Sequence, residues 1–167
     1  MLILGKLKDK MTETNYIEIG TKEFSFTILN INPQKNLVSL TMNINGISFG
    51  TLDSPTYMPS FIGALRAVLQ SPFHKNYNLT TENFLENLYI NHNFIDHYHL
   101  TLAETFDDFS KIGVRNQESI FFLFKLHENP FFTYPKLSEN IIYAEHITIN
   151  SVEYALKKLI DYLATLP

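Results

Sequence analysis

The sequence predicts an α+β fold: a largely antiparallel, twisted sheet of about six to eight strands with two to three helices, the C-terminal helix packed on the sheet. Three observations predict it. Val38, Leu40, Met42 and Ile44 alternate with Ser39, Thr41 and Asn43, reach Asn45-Gly46, and resume as Ile47, Phe49 and Thr51, the pattern of a hairpin with one buried face. Ile120 to Phe124 is apolar at every position, as a strand is when both its faces are covered. Val152, Leu156, Leu159, Ile160 and Leu163 make one helical stripe near the end of the chain.

Taken in order, Phe24, Phe26 and Ile28 alternate with Ser25 and Thr27, which predicts a strand ending at the turn Asn32-Pro33-Gln34-Lys35-Asn36. As an edge strand, Phe24 to Asn30 is open to a second copy or is covered by the N-terminal arm. A two-residue turn at Asn45-Gly46 pairs Ile44 with Ile47 and Met42 with Phe49. Pro59 suits the first helical turn, and Phe61, Leu65, Val68 and Leu69 then form a stripe that ends before Pro72. Gly63 and Ala64 allow that helix to pack closely on the sheet. A second helix starts from Thr80 or Thr81 as N-cap, with Glu82 in its first turn and Leu85, Leu88 and Tyr89 as its apolar face, and ends within His92 to Asp96.

Tyr98, Leu100 and Leu102 alternate with His97, His99 and Thr101 and predict a further half-buried strand, followed by an acidic break from Glu104 to Asp108. Phe109 to Arg115 and Glu118 to His127 read as paired strands about Asn116-Gln117, the second in the middle of the sheet. Pro130 and Pro135 bound a ring-rich turn, and Ile141 to Ile149 returns as a strand. The final helix takes Asn150 as N-cap with Glu153 three residues on, a pair that resembles a capping box.

Composition narrows the function. With 167 residues, 45% of them hydrophobic and 18% charged, residues 1–167 are expected to form one globular domain with an ordered core rather than a disordered chain. The absence of Cys removes disulfide frameworks, thiol nucleophiles and Cys-based zinc sites, and fits a reducing compartment. Leu2, Ile3 and Leu4 are followed by Lys6, a run too short for a signal or a membrane span, so the expected location is cytoplasmic. A net charge of −4 disfavours nucleic acid and anionic lipid and suits a basic protein partner.

No nucleophile-elbow, P-loop or dinucleotide-binding motif occurs, and the chain has only six Gly. Asn78-Leu79-Thr80 matches a glycosylation sequon but reads more simply as the start of a helix. His97 and His99 point to one face of their segment, where His92 or Asp96 would complete a metal shell; the simpler reading is the solvent side of a half-buried strand. His74, His127 and His146 are single and scattered. Glu104, Asp107 and Asp108 are either a solvated loop, an acidic patch for a basic partner, or a catalytic or cation-binding set that would require a dry pocket. Phe131, Phe132 and Tyr134 either tuck under the sheet or form a binding surface, and the lack of basic residues around them argues against base stacking. The sequence therefore predicts no enzyme, no catalytic residue, no metal and no cofactor.

Asn45-Gly46-Ile47-Ser48-Phe49-Gly50, Phe106-Asp107-Asp108-Phe109, Ile120-Phe121-Phe122-Leu123 and the stretch Tyr143 to Leu163, in that order, give the chain a resemblance to bacterial immunity proteins that neutralise polymorphic toxins. It resembles most nearly the immunity 42 family, from about residue 24 onward. The resemblance implies a small cytoplasmic protein, made beside a secreted toxin, that binds the toxin and occludes its active or recognition surface. On charge and ring content, the expected contact residues are Glu104, Asp107, Asp108, Phe131, Phe132 and Tyr134, with a basic toxin as partner. The alternative is a non-enzymatic adaptor or scaffold with an unrelated protein partner.

Overall fold

The structure, a computed structural model, describes residues 15–90 and 97–167. Its strands run antiparallel throughout and divide between two sheets. The first has the order β1 (Tyr16–Gly20), β2 (Phe24–Leu29), β3 (Leu37–Ile44), β4 (Ile47–Tyr57). The second has the order β5 (Phe109–Arg115), β6 (Ser119–Leu126), β7 (Ile142–Thr148). Two α-helices, α1 (Met58–Gln70) and α2 (Ile149–Ala164), follow the last strand of each sheet directly.

The hairpin forms in the predicted register, Ile44 opposite Ile47 and Met42 opposite Phe49. Asn45 and Gly46 both adopt positive φ, 49° and 84°, as a twist-matched two-residue turn requires. Phe24, Phe26 and Ile28 lie on the same buried face. The predicted edge at Phe24 to Asn30 is covered: β1 pairs along all of it, Tyr16 opposite Leu29 through Gly20 opposite Ser25. The other face of this sheet is polar, with Asn43 Nδ2 donating to Ser25 Oγ at 3.1 Å and to Thr27 Oγ1 at 2.9 Å.

Strand β6 lies between β5 and β7, and its period of two sends alternate rings into two different cores. Ile120, Phe122 and Phe124 join the main core with the first sheet and both helices. Phe121 and Leu123 face a smaller cluster containing Leu79, Phe84, Leu88 and Val114. Phe49 stacks on Phe124 with centroids 4.3 Å apart, and Phe24 on Phe122 at 6.1 Å, so ring pairs from the two sheets meet face to face. Each such pair contributes about 1 kcal/mol beyond the area it buries.

Helix α1 buries Met58, Phe61, Leu65 and Val68, and its last carbonyls are held by Arg115, whose Nη1 donates to Val68 O at 2.7 Å and Ser71 O at 2.8 Å. Gly63 has nothing within 4 Å of where a Cβ would stand, so it faces open space and not the sheet as expected. The segment after Thr80 is capped reciprocally: Asn83 N donates to Thr80 Oγ1 and Thr80 N to Asn83 Oδ1. It then forms a π-helical turn over Glu86–Ile90, with Phe84 and Leu88 buried and Leu85 and Tyr89 exposed, which corrects the predicted apolar face. The expected end of that helix, His92 to Asp96, lies outside the described residues.

Two boundaries differ from expectation. The stretch 97–102 keeps the inside-outside alternation but forms no strand, because Tyr98 takes φ 61° and interrupts the extended chain. Leu100 N donates to Lys111 O and Gly113 N to Tyr98 O, which ties it to β5 by single hydrogen bonds and not by a ladder. The N-cap of helix α2 lies two residues before the predicted one: Thr148 takes that place, its Oγ1 accepting from Ser151 N at 3.3 Å, and Asn150 already lies within the helix.

That start is secured from far away in the chain. Glu23, in the turn between β1 and β2, accepts from Thr148 N and Thr148 Oγ1 at 2.9 Å each, and from the Ser151 hydroxyl. A carboxylate there also complements the helix dipole. Partial burial raises the Glu23 pKa, but the Ser151 and Thr148 hydrogen bonds outweigh it and hold the group below its ordinary 4.5. A depressed carboxylate contributes stability above its ordinary value and loses it as the pH falls through the folded value. Glu23→Gln is therefore expected to cost on the order of 1 kcal/mol at neutral pH. The deficit against wild type should shrink as urea melts are taken from about pH 7 to about pH 3; a deficit independent of pH would remove the charge from this account.

Candidate functional site

The acidic break folds into a short 3₁₀ turn, Glu104–Phe106, that lies against β4. Three contacts fix it. Thr56 Oγ1 and Thr105 Oγ1 meet at 2.6 Å in a buried hydrogen bond. The Phe106 ring stacks on Phe61 of α1 at 5.4 Å. Its other neighbour is Gly50, where a Cβ would stand 2.9 Å from two ring carbons. With Thr105 and Phe106 turned inward, Glu104 and Asp107 are left exposed.

The ring-rich loop is tied to the same place by Asp108. Its Oδ1 accepts from Phe131 N at 2.8 Å, and its Oδ2 accepts from Phe132 N at 2.9 Å and Tyr134 OH at 2.8 Å. Burial raises the Asp108 pKa, but the Phe132 and Phe131 amides and the Tyr134 hydroxyl outweigh it and hold the carboxyl below the ordinary Asp value. Burial and the Asp108 charge together push the Tyr134 phenol far above its ordinary value, so it stays a donor. The Tyr134 ring packs edge-on against Phe109 at 5.0 Å.

Between turn and loop lies a cleft of about 610 Å³. Glu104, Asp107, Asp108, Phe131 and Phe132 all line it, although more than twenty residues separate the acidic turn from the rings. Tyr134 is half-buried and reaches the cleft through its hydrogen bond to Asp108. Phe131 is 87% exposed. Two lining residues not predicted from sequence, Leu37 and Tyr57, add exposed apolar surface at 42% and 51%. They were hidden by an irregularity: β3 advances from Val38 to Leu40 while its partner moves from Thr56 to Thr51, so the outward parity of Tyr57 cannot be counted from the hairpin.

The six residues divide by role. Asp108 and Tyr134 are engaged with each other and with the loop backbone, and so shape the cleft. Among the described residues, the Glu104 and Asp107 carboxylates accept no hydrogen bond, and with Phe131 they present the open chemistry of the wall. Asp108→Asn removes the charge that gathers three donors and is expected to cost roughly 2 kcal/mol at neutral pH. Amide exchange at Phe131 and Phe132 should accelerate with it; unchanged protection would mean the loop is held by packing alone.

Among the described residues, the histidines form no metal-binding group. His97 and His99 are exposed, while His74 is buried with Nδ1 2.7 Å from Gly113 O, and burial lowers its pKa. His127 Nε2 pairs with Ser110 Oγ at 2.8 Å. His92 and Asp96 lie outside the described residues. Among the described residues, no group of three or more His, Asp or Glu side chains is placed to hold a metal, and no helix is long and apolar enough to cross a membrane.

No family model matches the chain, and no curated protein matches it. Among solved structures, the chain is similar to CdiI from Burkholderia dolosa AUO158, with 12% sequence identity and a TM-score of 0.47, over 89% of this chain and 99% of that one.

Proposed function

We propose that this protein is an immunity protein of the immunity 42 type, which binds a cognate bacterial toxin through the cleft between the 104–107 turn and the 130–135 loop and so occludes the toxin's active or recognition surface. The observation that carries this reading is the cleft wall itself, where exposed rings at Phe131 and Tyr57 stand beside the carboxylates of Glu104 and Asp107. Aromatic anchors beside charges that are free to pair suit a protein partner: rings supply most of the binding energy, and carboxylates steer a basic surface into register. The class of partner follows from the sequence resemblance. The protein acts in the cytoplasm, without catalysis or a cofactor, on a basic toxin.

The test is co-expression with the protein encoded in the neighbouring reading frame, expected to be a secreted toxin, scored by growth and by pull-down. Rescue of growth with a one-to-one complex is the expected result. Complex formation with no rescue would replace toxin neutralisation by an adaptor role, and neither binding nor rescue would remove the toxin from the proposal.

A further inference from the structure

A second cavity, of about 520 Å³, opens beside β5 and the end of β6. One of its walls carries Lys111, a lysine only 5% exposed. An ammonium has three N–H donors, yet this one makes a single hydrogen bond among the described residues, to Phe109 O at 3.3 Å. Leaving a buried cation so thinly paired is costly, and burial lowers the Lys111 pKa, with the Asp107 charge offsetting part of that. The rest of the lining divides into an apolar floor, from Leu88, Leu123 and Ile142, and a rim carrying Lys125, His99 and His127. Among the described residues, Asp107 is the one acidic residue of the lining.

We propose that this cavity binds a carboxylate borne on an apolar group, with the acid accepting hydrogen bonds from Lys111 Nζ and the apolar body filling the floor against Leu123 and Ile142. The inference does not rest on the toxin reading, although its opening shares Asp107 with the first cleft. An anion would occupy the donors that Lys111 leaves unused and would replace the hydration that burial has removed. Lys125 favours the same charge from the rim, while His127 is already paired with Ser110. An uncharged isostere would gain the apolar contact but leave the ammonium as it is. The same chemistry is offered by a free carboxylic acid and by the C-terminal carboxylate of a peptide ending in an apolar residue.

The test titrates the full chain with 3-phenylpropionate, with its uncharged amide, and with acetyl-Ala-Phe as free acid and as amide, followed by calorimetry and thermal melting. Saturable binding of an acid at least about tenfold tighter than its amide is expected. Lys111→Met should abolish that preference without lowering the melting temperature, and Lys111→Arg should retain part of it. Whichever acid binds more tightly identifies the source. A complementary measurement on the wild type follows acetylation by an N-hydroxysuccinimide ester with peptide mass spectrometry; the bound acid should protect Lys111 and leave the exposed Lys157 and Lys158 unprotected. Equal affinity for acid and amide, binding unchanged by Lys111→Met, or no protection of Lys111 would each overturn the proposal.

Discussion

Replacing Gly50 with alanine is expected to destabilise the protein by roughly 3 kcal/mol, a drop of about 10 °C in melting temperature for a chain of this size. Two causes act together. Gly50 sits at φ +101°, a conformation open to glycine but strained for any L side chain, and its missing Cβ leaves the space into which the Phe106 ring is packed. The ring cannot simply withdraw, because Phe61 stacks on it and the buried Thr56 to Thr105 bond holds the backbone of the turn. The strain would therefore be passed to the 104–107 turn and to the wall of the cleft. A double-mutant cycle with Phe106→Leu separates the causes: the smaller residue should recover the packing part and leave the backbone part. If Gly50→Ala alone changed stability by less than about 0.5 kcal/mol, close packing of Phe106 on β4 could not be what fixes the turn.

The second large effect concerns the partner. Glu104→Lys combined with Asp107→Lys is expected to weaken binding of the cognate toxin by about a hundredfold, mostly through a slower association rate and less severely at high salt. Both side chains are exposed and free of hydrogen bonds, but Asp107 also supports the buried Lys111 charge, so the melting temperature is followed in each variant and Glu104→Lys alone separates steering from any loss of stability. Asp108 is left out of the reversal because its loss would release the loop, and a binding defect could then be read either way. Phe131→Ala should act differently, raising the dissociation rate with little change in salt dependence. Wild-type affinity in the double reversal would exclude these carboxylates from the interface, whatever the outcome of growth rescue.

How much of this was legible beforehand depends on how local each signal is. The Asn45-Gly46 hairpin was readable to the residue, because turn chemistry and period-two alternation fix one register between neighbours in sequence. The doubly buried Ile120 to Phe124 run was readable for a similar reason, since no partly exposed strand carries apolar side chains on both faces. The stretch 97–102 shows the limit of the same rule. Its alternation was real, with Leu100 and Leu102 inward, but one left-handed residue at Tyr98 was enough to break the ladder. Strand β1 gave the opposite error. Tyr16–Gly20 is short, its apolar residues are only half-buried, and it becomes a strand by pairing with β2.

The site divides along the same line. That Glu104, Asp107 and Asp108 lie outside the strands, and that Phe131, Phe132 and Tyr134 form a loop between prolines, was determined by the sequence alone, because charge, proline and ring content act within a few residues. That one carboxylate gathers the loop while its neighbours stay free, that Glu23 caps a helix 125 residues away, and that Lys111 is buried at a strand edge beside a cavity were decided only by tertiary structure. The physical reason is that hydrogen bonds and desolvation depend on which groups meet in space, and a chain's local pattern states only which groups are available to meet.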